Sequence, residues 1–188
     1  HKISKNENNN CLHGGKKGFN KKIWKINKLS KESIIYSIIS KNLDQGFPGN
    51  LYISCRYVLK NKTISIFYNF YSDKLTHVNI TNHSYWNLNK NKKKNISNHD
   101  LKIFSNYYLP VNKFNIPTGK KNNVKKSIYN FKSFSNLGKK ITLKKNGFDI
   151  NYIVNKSKDN LTATLKNQNT RISLNFYSNQ PGLQLYTG

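Results

Sequence analysis

The chain has 188 residues, enough for one domain with a substantial apolar core. Aromatic residues make up 13% of it, which argues against disorder, since disordered chains are poor in aromatic and β-branched residues. The formal net charge is +26, from 33 Lys and Arg against 7 Asp and Glu. No apolar run approaches the roughly 20 residues that a membrane-spanning helix needs, so we expect no membrane insertion.

The excess of lysine admits two interpretations. A charge of this size is typical of proteins that bind nucleic acid or a membrane surface. Lys, Asn, Ile, Tyr and Phe are all abundant, however, as in a gene with AT-rich codons, and arginine occurs only at Arg56 and Arg171. Because the lysines are spread along the whole chain, we favour biased coding and predict no specific nucleic-acid partner.

Cys11 and Cys55 are the only cysteines in the sequence. Two cysteines do not make a disulfide framework or a zinc knuckle, and no CxxC motif is present. We predict that both stay reduced in a cytoplasmic compartment, with a single bridge between them as the alternative.

The dominant hydrophobic period is two, which is typical of half-buried strands. In the clearest case, Leu51, Ile53, Cys55, Tyr57 and Leu59 share one face. In chain order, the pattern predicts strands over 33–40, 51–60, 63–72, 148–155, 160–166 and 171–178. The second and third of these are predicted to form a hairpin, and no long window keeps a helical stripe. The fold class is therefore all-β, with antiparallel sheets in a sandwich or barrel, as a single domain over 1–188.

Between these strands, Gly and Pro pairs mark turns, and two lysine-rich runs are predicted to be solvated loops. The runs are "KNKKKN" (90–95) and "GKKNNVKK" (119–126). Charge runs of this kind are more often exposed loops than binding motifs.

Three residues carry the chemistry that the sequence suggests. His83 and His99 each lie at the edge of a strand-like segment, and two imidazoles brought together by a sheet can exchange protons near neutral pH. Asp149 begins an otherwise apolar strand, either as a turn residue or as a carboxylate that accepts hydrogen bonds from adjacent sugar hydroxyls. No P-loop and no GxSxG, GxGxxG or HExxH motif is present.

Seven blocks in one order resemble the aldose 1-epimerase (galactose mutarotase) family. They are "LHGGKKGFNKKIW" (12–24), "GFPGNLYI" (46–53), "VNITNHSYWNL" (78–88), "NHDLKIFSNYYLPVN" (98–112), "IPTGKKNNV" (116–124), "NGFDINYIV" (146–154) and "QPGLQLYTG" (180–188). The resemblance covers essentially the whole chain, and seven blocks in register are highly specific.

The resemblance implies a large antiparallel β-sandwich of the galactose mutarotase type and an isomerase that interconverts the α and β anomers of free hexoses. An acid protonates the ring oxygen while a base removes the proton of the C1 hydroxyl. The ring then opens, C1 turns, and the ring recloses. The implied enzyme needs no cofactor and no metal, and its partner is a small sugar. We expect a monomer or weak dimer.

Site residues follow from the resemblance, block by block. His99 in "NHDLKI" matches the family's catalytic general acid, and His83 in "TNHSYWNL" matches the histidine at the ring oxygen. Asp149 in "GFDINY" matches the aspartate that binds sugar hydroxyls, and Gln184 in "PGLQLYTG" matches a glutamine that lines the cleft. Asn82, beside His83, is also predicted to bind substrate. The neighbouring Tyr85–Trp86 pair is predicted to belong to the core.

The chain departs from the family pattern at Asn20, Asn130 and Ile150, where Asp, Asp and His are usual. The family's catalytic glutamate would follow the "YTG" block, and its sugar-binding arginine would precede the "LHGG" block. The sequence therefore resembles the central part of a longer, here incomplete, sandwich. Either the flanks exist and are absent from this chain, or the protein is truly short. In the second case we expect no efficient mutarotation, because losing a general base lowers the rate by about 10²–10⁴-fold, and this chain alone is expected to be a poor catalyst.

Three alternatives to a hexose mutarotase stay open. The positive charge makes a hexose-6-phosphate 1-epimerase plausible, and the absent glutamate fits a non-catalytic carbohydrate-binding remnant. The last alternative, a nucleic-acid binder, depends on charge alone and predicts affinity that falls steeply with salt.

Overall fold

The computed structural model describes residues 2–155 and 157–188. The chain divides into two compact units, unit 1 ending at Ser84 and unit 2 spanning Tyr85–Gly188. Within the described residues, no helix is long and apolar enough to cross a bilayer.

Unit 1 contains one antiparallel sheet in the order β1-β2-β3-β4. Its strands are β1 (Lys25–Leu29), β2 (Ser33–Ser40), β3 (Leu51–Lys60) and β4 (Thr63–Ser72). Single 3₁₀ turns lie at Phe19–Lys21 and Asp44–Gly46. The predicted hairpin is confirmed, since β3 and β4 pair from Leu51 with Ser72 to Lys60 with Thr63.

A two-residue turn closes this hairpin at Asn61 and Lys62, which have φ of +50° and +64°. Positive φ at both central positions is the geometry whose twist matches paired strands. Alternation along β3 buries Leu51, Ile53 and Cys55, as the period-two pattern predicts. The prediction is wrong at Leu59, which is 61% exposed, because the burial fades toward the turn.

Unit 2 contains two antiparallel sheets, in the orders β11-β10-β5-β8 and β12-β9-β6-β7. Its elements are β5 (His99–Ile103), β6 (Ser105–Leu109), β7 (Asn122–Asn123), β8 (Ser135–Asn136), α1 (Leu137–Lys144), β9 (Asp149–Val154), β10 (Leu161–Asn167), β11 (Ile172–Tyr177) and β12 (Gly182–Tyr186). The strands predicted over 148–155, 160–166 and 171–178 are confirmed as β9, β10 and β11.

One apolar core joins the two sheets of unit 2. Ile103 and Ala163 enter it from one sheet, Ile150 and Tyr152 from the other, and Phe148 packs between them. Two sheets that share an inner face in this way form a sandwich, which confirms the predicted all-β class. The outward faces of β9 and β12 are consequently free to carry polar side chains.

Several local features differ from the sequence predictions. Helix α1 was not predicted, because its eight residues are too few to show a helical stripe; the Asn136 side chain caps it by accepting from the Lys139 N–H. The segment before His83 reads as strand-like, but residues 75–89 have no regular structure. The run 90–95 is a loop as predicted, whereas 119–126 includes the short strand β7.

Candidate functional site

A row of polar side chains lies on the outward face of the β9–β12 pair. Along β9, Ile150 and Tyr152 enter the core, so Asp149 and Asn151 point the other way. Gln184 of β12 lies directly opposite Asn151 in the register. Asp149, Asn151 and Gln184, the polar row, therefore share one face.

Two hydrogen bonds join the polar row end to end. The Gln184 Nε2 donates to Asp149 Oδ1 at 2.7 Å, and the Asn151 Nδ2 donates to Gln184 Oε1 at 3.1 Å. Bonds to an ionised carboxylate are shorter and stronger than neutral ones, which fits the shorter first distance. Asp149 and Gln184, two of the predicted substrate-binding residues, are thus in direct contact.

Tyrosine rings flank the polar row on the same face. Tyr186 pairs with Asp149 across the two strands, and its ring meets the ring of Tyr85 edge-on, with centroids 5.8 Å apart. On the other side, Leu109 of β6 lies opposite Asn151, and Tyr107 lies opposite Ile153, two positions further along β9. A flat apolar ring beside fixed hydrogen-bonding groups is a surface that suits a sugar, whose C–H bonds pack on rings while its hydroxyls bond to the polar groups.

The Tyr85–Trp86 pair was predicted to lie in the core, and that prediction is wrong. Tyr85 is 69% exposed and Trp86 is 40% exposed. Each ring makes an edge contact instead, Tyr85 with Tyr186 and Trp86 with Phe176 at 6.2 Å. These residues follow an irregular segment, so no strand alternation turns them inward.

Asn82 and His83 belong to unit 1. Asn82 donates from Nδ2 to the Tyr57 hydroxyl at 3.3 Å and accepts from the Ser84 N–H at 3.0 Å. His83 is exposed, and its ring meets that of His13 edge-on with centroids 5.2 Å apart. His13 was not singled out from the sequence, although it lies in the "LHGG" block, so unit 1 presents a pair of imidazoles where one was predicted.

His99, at the first position of β5, is completely buried. The Leu88 N–H donates to its Nε2 at 2.8 Å, so the ring proton is on Nδ1, which donates to Asn98 Oδ1 at 3.0 Å. Burial lowers the pKa of His99 below its ordinary value, and the ring is neutral near pH 7. Both nitrogens are therefore occupied by the protein itself.

His99 belongs to a buried amide cluster that consists of Asn89, Asn98, His99 and Asn167. Asn98 and Asn167 both donate to Asn89 Oδ1, at 2.8 and 2.9 Å. The Thr170 hydroxyl donates to the Leu88 carbonyl at 3.0 Å, so both polar groups of the Leu88 residue are held. This geometry gives His99 a structural task, and it does not favour the general-acid role, which stays a prediction.

The five predicted site residues thus fall into three settings. Asp149 and Gln184 meet in the polar row, His99 lies inside the other sheet, and Asn82 and His83 lie in the irregular segment of unit 1. Sequence reasoning missed Asn151 and Tyr186 as parts of the same face. Asn151 had a signal, since it lies two positions after Asp149 in a strand of period two. Within the described residues, no group of three or more His, Cys, Asp or Glu could hold a metal ion.

The chain is similar to known proteins along its whole length. A family model described as aldose 1-epimerase matches residues 1–188. The chain is 34% identical to the galactose mutarotase of Bos taurus over 190 residues, which is 100% of this chain and 55% of the relative. It is 35% identical to the galactose mutarotase of Homo sapiens over 185 residues, or 97% of this chain and 54% of the relative.

Among solved structures, the galactose 1-epimerase of Lactobacillus acidophilus matches with a TM-score of 0.86 at 26% identity, covering 99% of this chain and 56% of that one. The chain therefore spans about half the length of the relatives it matches.

Proposed function

The chain belongs to the aldose 1-epimerase family, and we propose that it supplies the sugar-binding face of an enzyme that interconverts the α and β anomers of free hexoses such as galactose and glucose. The family match extends over residues 1–188 and agrees with the resemblance predicted from the sequence. The observation that carries the proposal is the hydrogen-bonded row of Asp149, Gln184 and Asn151 beside exposed tyrosine rings.

The polar row would bind the hexose through its hydroxyls. The Asp149 carboxylate accepts bonds only, and two neighbouring hydroxyls can donate to its two oxygens. Gln184 keeps a second N–H on Nε2, which can donate to a hydroxyl oxygen beside Asp149. The Tyr186 ring offers the apolar face on which the C–H side of the sugar packs.

Ring opening needs a proton at the ring oxygen and the removal of the C1 hydroxyl proton, which passes to solvent water because none of the predicted site residues is assigned as its base. Of the two predicted histidines, His83 is the exposed one, and we assign it the ring-oxygen role that the family resemblance implies for it. Breaking the C1–O5 bond leaves an open-chain aldehyde. Attack by the O5 hydroxyl on either face of C1 restores the ring, and the protons return.

The test is polarimetry of fresh α-D-galactose together with calorimetric titration of the same sugar. We expect wild type to bind galactose and to accelerate anomerisation only weakly, in line with the poor catalysis predicted above. Asp149→Asn should weaken binding, and His83→Gln should remove the remaining acceleration with binding retained. Asp159→Asn is the matched control, because Asp159 is an exposed carboxylate that accepts from Ser157 and Leu161 in its own loop. If wild type neither bound galactose nor accelerated its anomerisation, the proposal would be overturned.

A non-catalytic carbohydrate-binding protein is the second candidate, and the complete burial of His99 favours it. It predicts galactose binding in the titration without any change of the spontaneous rate in the polarimeter. A His99→Gln variant that loses rate but keeps binding would speak for the acid role instead. Galactose 6-phosphate in the same two assays tests the phosphorylated substrate class. That alternative requires galactose 6-phosphate to bind more tightly than galactose.

We also propose a cytoplasmic protein that is a monomer or weak dimer. Cys11 and Cys55 are both free thiols, which fits a reducing compartment. Cell fractionation and sedimentation velocity are the corresponding measurements, and a secreted protein or a tight oligomer would contradict these assignments.

A further inference from the structure

We infer that Asn151 and Gly182 are positioning residues, which hold the Gln184 amide, and through it Asp149, in the orientation that binds the sugar. This inference rests on the proposed function and names what sets the geometry of the same face. Asn151 contacts Gln184, and Gly182 is adjacent to Asn151 in space.

The direction of the hydrogen bonds makes Asn151 necessary. An ionised carboxylate can only accept, so Gln184 must turn its NH₂ group toward Asp149, with Nε2 at 2.7 Å from Oδ1. The Gln184 Oε1 then points away and needs a donor, which Asn151 Nδ2 supplies at 3.1 Å. A residue at 151 that cannot donate leaves Oε1 without this bond and frees the amide to rotate.

Gly182 explains how the Asn151 amide keeps its place. A Cβ atom at position 182 would lie 2.9 Å from Asn151 Oδ1 and 3.3 Å from Nδ2, closer than ordinary contact. Gly182 is not among the residues with positive φ, so its backbone does not require glycine. The Asn151 side chain therefore occupies the space that a side chain at position 182 would fill, so any side chain there forces the amide that bonds to Gln184 to move.

These two contacts act in series on the Gln184 amide, since Asn151 bonds to it and the space at Gly182 holds Asn151. One is a hydrogen bond donated along the row, and the other is a steric limit from the neighbouring strand. Substitution at either position should therefore have the same consequence for Gln184, although the chemical changes are unrelated.

The experiment compares Asn151→Asp, Asn151→Ala and Gly182→Ala with wild type. Asn151→Asp keeps the size of the side chain but replaces its donors with acceptors, so a role that depends on size alone would tolerate it. The matched control is Asn175→Ala, another exposed asparagine of unit 2, which accepts from the Thr164 hydroxyl on the other sheet. Galactose affinity is measured by calorimetry, and the Gln184 side-chain amide by ¹H–¹⁵N spectra.

We expect each of the three variants to weaken galactose binding by roughly tenfold, the equivalent of one hydrogen bond in a binding site. We also expect each to move the Gln184 side-chain amide signals while the backbone signals of the core stay in place. Asn175→Ala should change neither. If one Asn151 variant fails to fold, Gly182→Ala, which removes no polar group, still decides the point.

The failures are distinguishable. If wild type does not bind galactose, the proposed function falls, and the Gln184 signals without sugar still decide whether Asn151 and Gly182 hold the amide. If wild type binds but Asn151→Asp and Gly182→Ala bind equally well, or if their Gln184 signals match wild type, the positioning role is overturned.

Discussion

Unit 2 contains two groups of hydrogen-bonded polar side chains that differ in their access to solvent. The polar row of Asp149, Asn151 and Gln184 lies on an outward strand face, whereas the buried amide cluster around His99 lies inside. Buried polar groups must be hydrogen-bonded, because leaving one unpaired costs about 1–3 kcal/mol. The hydrogen-bonding groups of the cluster are therefore bonded within the protein, whereas exposed groups retain donors and acceptors that a ligand can use.

Residue type alone does not separate these two roles. Both groups consist mainly of amides, and each has one titratable member, Asp149 in the row and His99 in the cluster. The difference lies in the strand position of that member. His99 shares the inward face of β5 with Leu101 and Ile103. Asp149 lies on the outward face of β9, because its neighbour Ile150 faces inward. Position in the sandwich, and not chemistry, buries one group and leaves the other open to a ligand.

The largest expected effect tests the structural side of this comparison. His99→Ala removes the acceptor for the Leu88 N–H and the donor for Asn98 and leaves a cavity, so the free energy of unfolding should fall by about 3 kcal/mol. Urea denaturation measures it. His77→Ala, at an exposed position of unit 1, should stay within about 0.5 kcal/mol of wild type. Equal losses in the two variants would contradict the structural role of His99.

The second effect tests the binding side. Asp149→Asn replaces a charged acceptor with a neutral amide of the same shape, so galactose affinity should fall by roughly 30-fold while the urea midpoint stays unchanged. Calorimetric titration measures the affinity. If Asp149→Asn bound galactose as wild type does but unfolded more easily, the polar row would have a structural role and the binding role would be contradicted.

The third effect is the dependence of stability on pH, which comes from the cluster. Burial lowers the pKa of His99 from its ordinary 6.5, and the nearby charges of Asp100 and Lys92 act on it in opposite directions. The unfolded chain therefore binds a proton more readily than the folded one. Stability should be full above the unfolded pKa and should fall as the pH drops from there through the folded pKa.

Urea midpoints from about pH 7.5 to about pH 5 measure this slope. His99→Gln should flatten it, while His77→Gln should leave it as in wild type. A slope that survives His99→Gln would assign the effect to another group.

The sequence predicts β2, β3, β4, β9, β10 and β11 because alternation is a local property, whereas β1 and β12 were not predicted. The segments 33–40, 51–60 and 63–72 coincide with β2, β3 and β4 within one residue. Local alternation also indicated that His99 is buried, since His99, Leu101 and Ile103 follow one another at intervals of two residues. The general-acid role that the family resemblance implies for His99 stays a prediction.

Other features lay beyond local patterns. The contact between Gln184 and Asn151 depends on the register of β12 against β9, which joins residues more than thirty positions apart. No spacing within either strand sets that register; the fold as a whole does. Helix α1 was missed because eight residues give too little periodicity, and its start depends on one capping contact from Asn136.

The smallest expected effect sharpens the description of the binding face. Tyr186 is opposite Asp149, and its ring contacts that of Tyr85. Tyr186→Leu keeps an apolar side chain but removes the flat ring, so galactose affinity should fall by roughly threefold, in line with about 0.7 kcal/mol for an aromatic contact. Tyr186→Phe keeps the ring and should bind nearly as wild type. If Phe is as weak as Leu, the hydroxyl and not the ring contacts the sugar, and the face binds through hydrogen bonds alone. If neither substitution changes affinity, Tyr186 lies outside the bound sugar, and binding is confined to the polar row itself.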